Sequence, residues 1–141
     1  MAQNVNPTFV KTPNRGLTLI STGTGQGLVT LYTGGANGSK IVSVNATTTS
    51  TTALDVQMYI TNLGNNYYLG TTNVAALAGT KSSVNAVALL NTTAIPGLPV
   101  DSDGNPYLIL ASSADTLTLT SGATVPTTGG LIFASAVGGD F

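Results

Sequence analysis

The sequence predicts an all-β protein: an antiparallel β-sandwich of about eight strands, similar to a jelly roll. Three observations predict it. Apolar and polar residues alternate with a period of two. Gly, Asn, Asp and Pro interrupt this alternation about every 8 to 15 residues. No helical segments of the kind that parallel crossovers require are present. A Greek-key sandwich of immunoglobulin type is the alternative within the same class.

The clearest strand runs over residues 53–62, where Leu54, Val56, Met58 and Ile60 fall on one face. Gly64-Asn65 provides the backbone torsions of a tight hairpin turn, and residues 66–69 start the next strand. Residues 84–90 could form a short helical turn, although extended structure is predicted there. The other predicted strands are 17–21, 28–33, 40–47, 107–111, 116–120 and 131–137.

The chain is predicted to form one domain preceded by an arm. Residues 1–15 include Pro7 and Pro13 among polar residues, which is typical of a segment with little structure of its own. Residues 16–141 form the β-sandwich domain, whose length suffices for a core without disulfides or metals. We expect the arm to dock on a neighbouring molecule.

Charged residues make up 6% of the 141 residues, against about 25% in average proteins. The chain has no His, Cys, Trp or Glu. Because these missing residues are common carriers of proton transfer, metal ligation and thiol chemistry, an enzyme is not expected, nor is a cofactor. A hydrolase on a β scaffold, using Asp101 or Asp103, is the weakest of the alternatives.

The charge and hydropathy of the sequence argue against nucleic acid and membranes as partners. The four cations are scattered and the net charge is −1, so no basic patch for phosphates is present. No apolar run approaches the ~20 residues of a membrane span, and the first residues lack the pattern of a signal peptide. Synthesis in the cytoplasm is therefore expected.

Three short motifs are interpreted as structure rather than chemistry. Residues 34–40 resemble a phosphate-binding loop but lack the Gly-Lys-Ser/Thr ending, so a hairpin loop is favoured. Asp101 and Asp103 could bind calcium, but a capped turn before a strand at Tyr107 is favoured. Adjacent Ser39 and Lys40 should point to opposite faces of a strand, which argues against a Ser-Lys catalytic pair.

The aromatic residues suggest a second kind of function. Tyr59, Tyr67 and Tyr68 could form a patch that stacks on a sugar or contacts a protein, or they could be cross-strand packing at a sheet end. A carbohydrate- or receptor-binding module, with Tyr67 and Tyr68 as the platform, is therefore the alternative function.

The order of several short stretches resembles capsid decoration, or cement, proteins of tailed bacteriophages, across nearly the whole chain. This resemblance implies a jelly-roll-like virion protein that binds the outside of the major capsid protein shell and stabilises it as a homo-oligomer, a dimer or a trimer. No catalytic residues are implied. The resemblance also implies synthesis in a host cytoplasm, and it makes the alternative sugar- or receptor-binding module one of a phage tail fibre. The stretches are KTPNRG from Lys11, LYTG from Leu31, GSKI from Gly38, DVQMYI from Asp55, YLG from Tyr68, LLN from Leu89, PGLP from Pro96, DGN from Asp103 and GDF from Gly139.

Contacts with other subunits are predicted mainly at the chain ends. Apolar or charged residues near a terminus have little use in an isolated domain, so they are candidates for contacts with a neighbour. The predicted interface residues are Phe9, Val10, Lys11, Arg15, Tyr59, Tyr67, Tyr68 and Phe141.

Overall fold

The computed structural model describes residues 11–21, 27–122 and 130–141, and these residues form nine β-strands in two antiparallel sheets. The first sheet, called the β1 sheet, has the order β1-β9-β3-β6, with β7 also paired to β3. The second, the β2 sheet, has the order β2-β8-β4-β5. The strands are β1 Thr12–Ile20, β2 Val29–Thr33, β3 Ser39–Thr48, β4 Leu54–Asn62, β5 Asn65–Val74, β6 Val87–Ala88, β7 Leu108–Leu110, β8 Asp115–Ser121 and β9 Ile132–Asp140.

The topology is that of a jelly roll. Strands pair from the two ends of the chain inwards: β1 with β9, β2 with β8, β3 with β6 and β7, and β4 with β5. Folding such a nested set of pairs into two sheets gives the eight-stranded jelly roll, provided that β6 and β7 together count as one strand. They pair with opposite ends of β3, at Asn45–Ala46 and at Ser39–Ile41. The prediction of a jelly-roll-like sandwich is confirmed.

The core lies between the two sheets and follows the alternation of the sequence. In β4, Leu54, Val56 and Met58 are buried, as predicted. The long connection between β6 and β7 adds apolar side chains to the same core, among them Leu90, Ile95 and Leu98. The largest fully buried side chains are Ile20, Ile41, Val44, Val56, Met58, Val74, Leu89, Leu110, Leu117, Leu119 and Ile132.

The eight predicted strands are all present, with small changes of bounds. The largest change is at β1, which begins at Thr12 and pairs with β9 from Thr12↔Asp140 onwards. Residues 12–15, assigned to the arm by the sequence, therefore belong to an edge strand, and residues 1–10 lie outside the described residues. Residues 84–90 contain the short strand β6 rather than a helical turn.

Two predicted turns require correction. The β4–β5 hairpin turns at Leu63-Gly64, one residue before the predicted Gly64-Asn65, because Asn62 pairs with Asn65. Leu63 has a φ of 47° and Gly64 a φ of 82°, which matches the positive torsions that a two-residue hairpin needs. The loop 34–38 is a turn but not a hairpin, since it joins β2 to β3 in the opposite sheet.

Gly16 allows the two sheets to approach each other at the edge. A Cβ atom built on Gly16 of β1 would lie 1.8 Å from the carbonyl oxygen of Leu31 in β2. Real side chains do not tolerate that distance, so only glycine fits unless the backbone moves. This close contact brings β1 against β2 and sets the position of the outward residues of β1.

Candidate protein interface

A network of polar groups joins the C-terminal strand to both sheets. The hydroxyls of Ser39 and Tyr32 donate to Asp140 Oδ1 at 2.5 and 3.2 Å, and Asn14 Nδ2 donates to Asp140 Oδ2 at 3.3 Å. Ser39 and Tyr32 are buried. Because Tyr32 belongs to the β2 sheet and the other three residues to the β1 sheet, Asp140 acts as a structural connection between the sheets.

The environment of Tyr32 favours its neutral form. Burial raises the pKa of the Tyr32 phenol above its usual value of 10.0, and the negative charge of Asp140 raises it further. The neutral phenol is the form that can donate a hydrogen bond to Asp140. The hydrogen bond and the direction of the pKa shift therefore agree.

Asp101 caps a turn, as the sequence predicts. Its Oδ1 atom accepts hydrogen bonds from the backbone N–H groups of Asp103 and Asn105, both at 2.9 Å. The hydrogen bond from the Asn105 N–H is the main cause that lowers the pKa of the Asp101 carboxyl below its usual value. The turn leads into β7, so the interpretation as a capped turn is confirmed.

Ser39 and Lys40 point to opposite faces of β3. Ser39 faces the interior and donates to Asp140, whereas the Lys40 ammonium lies outside, 4.5 Å from the centre of the Tyr107 ring. This distance is that of a cation–π contact. The two side chains thus have separate structural roles, as the strand geometry predicts.

Asp115 and Asp55 also accept hydrogen bonds. The N–H of Ala111 and the amide of Asn62 donate to Asp115 at 2.8 and 2.5 Å. The amide of Asn73 donates to Asp55 at 2.9 Å. With Asp140 and Asp101, four of the five carboxylates take part in hydrogen bonds that hold strands or turns.

The outer faces of the two sheets differ in chemistry. On the β1 sheet, large apolar residues point outwards and are exposed; we call this surface the apolar face, and its members are Leu17, Leu19, Val42, Phe133 and Val137. On the β2 sheet, hydroxyl and amide side chains point outwards; we call this surface the polar face, and its members are Thr30, Asp55, Gln57, Tyr59, Thr61, Tyr68, Thr71, Asn73, Thr116, Thr118 and Thr120.

The apolar face is contiguous because of the strand register. Leu19 pairs with Phe133, and Leu17 pairs with Ser135 on the neighbouring strand. Leu17, Phe133 and Val137 are 64%, 42% and 51% exposed. A large exposed apolar patch on a soluble domain indicates a surface that contacts another molecule.

Two hollows lie on this outer surface of the β1 sheet. One, of about 430 Å³, lies at the Arg15 end and is lined by Pro13, Asn14, Arg15, Val137 and Gly138. The other, of about 250 Å³, is lined by Leu17, Thr18, Asn45, Thr47, Phe133, Ala134 and Ser135. The surface therefore has both projections and depressions, as protein interfaces do.

Side chains on the polar face bond to one another. Thr61 and Thr118 share a hydrogen bond of 2.9 Å across β4 and β8, and Thr61 also donates to Asn66 Oδ1 at 2.7 Å. Thr118 is buried although its side chain is polar. These mutual hydrogen bonds satisfy groups that would otherwise need a partner.

The three predicted tyrosines do not form one patch. Tyr59 and Tyr68 pair across β4 and β5 on the polar face, with ring centroids 5.1 Å apart. Tyr67 pairs with Ile60 and points to the opposite side of the sheet. Adjacent strand residues point in opposite directions, so Tyr67 and Tyr68 cannot form the predicted stacking platform.

The other predicted interface residues are dispersed. Lys11 and Arg15 are exposed beside the apolar face, whereas half-buried Phe141 donates its N–H to Gly38 at the end of β9. Phe9 and Val10 lie outside the described residues. The sequence interpretation missed Leu17, Leu19, Phe133 and Val137. In β9 apolar residues occupy both faces, whereas in β1 the leucines alternate with Gly16 and Thr18, which are on the inner face.

Comparisons with known proteins find similarity to solved structures but to no family. No protein-family model matches the sequence, and no curated protein matches it. The chain is similar to the cryo-EM structure of the virus-like particle of extra small virus from the giant freshwater prawn Macrobrachium rosenbergii, with 14% identity and a TM-score of 0.35. The alignment covers 97% of this chain and 84% of that chain. The resemblance to phage decoration proteins stays a prediction.

Two features are absent from the described residues. Residues 11–21, 27–122 and 130–141 contain no group of three or more Asp residues placed to hold a metal ion. In the same part of the chain, no helix has the length and apolar character needed to cross a membrane.

Proposed function

We propose that this protein is a structural component of a phage virion that binds the outer surface of the capsid and stabilises the shell by bridging major capsid protein subunits. It works as a homo-oligomer on the capsid exterior, without cofactor and without enzymatic activity. Nucleic acid and membrane are not among its partners.

The observation that carries this proposal is the exposed apolar face of the β1 sheet. A jelly roll occurs in capsid proteins, lectins and cupins, so the fold by itself does not decide between functions. The apolar face does favour one class, because a surface with few charges is cheap to desolvate when it meets another protein.

The use of the polar groups supports the same proposal. Four of the five carboxylates hold strands or turns, and in the described part of the chain every buried side-chain nitrogen or oxygen has a hydrogen-bond partner. Catalytic sites concentrate groups that are poised for chemistry. Here the groups maintain a rigid framework, which suits a protein that is built into a larger assembly.

The experiment that tests this function is cryo-EM imaging of particles of the phage that encodes this protein. We expect density that fits the jelly roll at symmetric positions outside the shell, with a copy number that matches the symmetry. Density in the tail alone, or particles from which mass spectrometry detects no copy of the chain, would contradict the proposal.

A binding experiment with particles that lack the protein tests the predicted arm. Removing residues 1–10 keeps Lys11, whose N–H donates to the carbonyl of Asp140 at 2.8 Å and aligns the start of β1. We expect the shortened protein to fold with an unchanged melting temperature and to bind particles more weakly. Equal binding by both forms would show that the arm has no role in docking.

A second function, sugar binding as in a tail fibre, is favoured by one feature of the polar face. A cavity of about 360 Å³ lies there, lined by Leu28, Gln57, Tyr59, Asn66, Thr120, Ser121 and Gly122. An aromatic ring beside amide and hydroxyl groups is the combination that binds a sugar. Binding to a glycan array that is lost with Tyr59→Ala but kept with Tyr67→Ala, on the opposite side of the sheet, would support this function.

A further inference from the structure

The outer surface of the β1 sheet is large enough for a specific contact between two proteins. Strands β1, β3 and β9 have nine or ten residues each, and β6 and β7 together have five. At ~4.8 Å between strands and ~3.3 Å per residue, they give a surface of about 520 Å² on each side. Two such surfaces together bury about 1,050 Å², just above the ~1,000 Å² that a specific interface needs. Sheets commonly pack on sheets face to face about 10 Å apart.

Exposed apolar side chains lie on both sides of Ser135 on the outer face of β9. Phe133 lies two residues to one side of Ser135 on β9, and Val137 lies two residues to the other side. The hollow of about 430 Å³ is at Val137 and Gly138. A second copy turned by 180° about an axis that passes Ser135 and runs across the strands would therefore bring its Phe133 to this hollow.

We propose that the apolar face binds the apolar face of a second copy of this chain, in a two-fold dimer with the axis at Ser135 and with the strands of the two sheets running in opposite directions. The inference rests on the proposed function in one respect, that the protein is used in many copies. A two-fold contact uses the same surface on both partners, so each distinctive feature must have its complement on the same face.

The charges on this surface fit the same orientation. Arg15 pairs with Val137, so it lies at the hollow that receives Phe133 of the second copy, where a guanidinium and an aromatic ring attract each other. Lys40 pairs with Gly139, four residues from Ser135. The two Lys40 side chains are then separated by about 26 Å along the strands, well beyond the Debye length of ~8 Å at physiological salt.

The alternative two-fold axis, parallel to the strands, is less favourable. It would place Phe133 against Phe133 and Val137 against Val137, and it would turn Arg15 towards β3 of the second copy instead of its Phe133. The contact between the guanidinium and the aromatic ring would then be lost.

The first test is the mass of the purified protein by light scattering over a range of concentrations. We expect the native chain to approach about twice its monomer mass of 14.1 kDa. Phe133→Ser and Leu17→Ser should each raise the dimer dissociation constant tenfold or more, because central apolar contacts dominate such interfaces. Leu63→Ser is the matched control, since Leu63 is exposed but lies at the tip of the β4–β5 hairpin.

Chemical cross-linking tests the orientation, because the chain has no cysteine of its own. With a short bismaleimide, Ser135→Cys should give a covalent dimer, whereas Asn73→Cys on the polar face should not. A mixture of Phe133→Cys and Val137→Cys should cross-link more efficiently than either variant alone. Preferential linkage of Phe133→Cys to itself would contradict the reversed arrangement.

The outcomes separate this proposal from the proposed function. A native protein that stays monomeric at high concentration, or a dimer that survives Phe133→Ser and Leu17→Ser with folded circular dichroism spectra, overturns the dimer. Neither result depends on a capsid. A dimer in solution together with absence of the chain from virions would uphold the interface and reject the virion role.

Discussion

The two outer faces of this sandwich show different ways in which a nearly uncharged protein keeps a stable surface. On the polar face, neighbouring strands present hydroxyl and amide groups that bond to one another, as Thr61 does with Thr118 and Asn66. On the apolar face, Leu17, Phe133 and Val137 remain exposed. The first surface satisfies polar groups within one chain, whereas the second leaves large apolar side chains exposed.

The difference teaches that burial along a strand cannot be inferred from hydrophobicity alone in such a protein. On β9, Ile132 and Phe133 are neighbours and both apolar, yet Ile132 is fully buried and Phe133 is 42% exposed. The pleat places them on opposite sides of the sheet. Mutations at such paired positions separate the role of the core from the role of the surface.

The largest effect is expected at this pair of residues. Ile132→Ala should lower the free energy of unfolding by about 2 to 5 kcal/mol, since it leaves a cavity in the core. Phe133→Ser should change it by only about 0.5 kcal/mol, as is usual for surface positions. Urea denaturation at a concentration where the protein is monomeric measures both. Comparable losses for the two variants would show that Phe133 belongs to the core and would remove the distinction between the faces.

The second effect is expected at the connection between the two sheets. Asp140→Ala leaves the buried hydroxyls of Ser39 and Tyr32 without their acceptor, and should cost about 2 to 4 kcal/mol of stability. Asp103→Ala, in the exposed loop before β7, is the control with the same loss of charge and should cost no more than about 0.5 kcal/mol. Equal costs would mean that Asp140 contributes through net charge and not through its hydrogen bonds.

The same connection makes stability depend on pH in the alkaline range. The pKa of Tyr32 is raised in the folded state, so its stabilising contribution is fully present below pH 10 and is lost as pH rises through the raised value. We expect melting temperatures to fall above pH 10, and to fall less steeply for Tyr32→Phe than for the native chain. Tyr67→Phe is the control, because Tyr67 is exposed on β5. Parallel curves for Tyr32→Phe and the native chain would contradict the role of Tyr32.

The sequence was sufficient to predict the fold class because alternation and turn residues are local signals. The alternation from Leu54 to Ile60 by itself predicted which side of that strand is buried. The residues around Asp101 by themselves predicted the turn. The sequence could not predict that two short strands, β6 and β7, take the place of one strand of the jelly roll. This arrangement depends on their pairing with the two ends of β3, and a long connection separates them. The hairpin turn was wrong by one residue for a related reason: register is set by both strands together.

The candidate interface was less predictable than the fold. Chain ends and tyrosines were the natural candidates, but exposure of Leu17 or Phe133 depends on which side of a strand faces the second sheet. In β9 both sides carry apolar residues, so the sequence pattern does not distinguish them. In β1 the alternation puts Leu17 and Leu19 on the outer side and Gly16 and Thr18 on the inner side, so it indicates the wrong side. The exposed apolar surface therefore lies on strands whose pattern does not reveal which side is buried.

The smallest effect on stability is expected at Leu63, at the tip of the β4–β5 hairpin, which belongs to neither outer face. Leu63 occupies the first position of the hairpin turn with a φ of 47°, which a branched apolar residue adopts at a cost, and its side chain is 83% exposed. Asn is tolerated in this conformation and favoured before Gly in such turns. Leu63→Asn should therefore raise stability by about 0.5 to 1 kcal/mol and leave the dimer mass unchanged. A Leu63→Asn variant that is more stable but no longer dimeric would show that the dimer contact lies at the hairpin tip and not on the apolar face. Leu63 would then contribute to binding although it destabilises the turn.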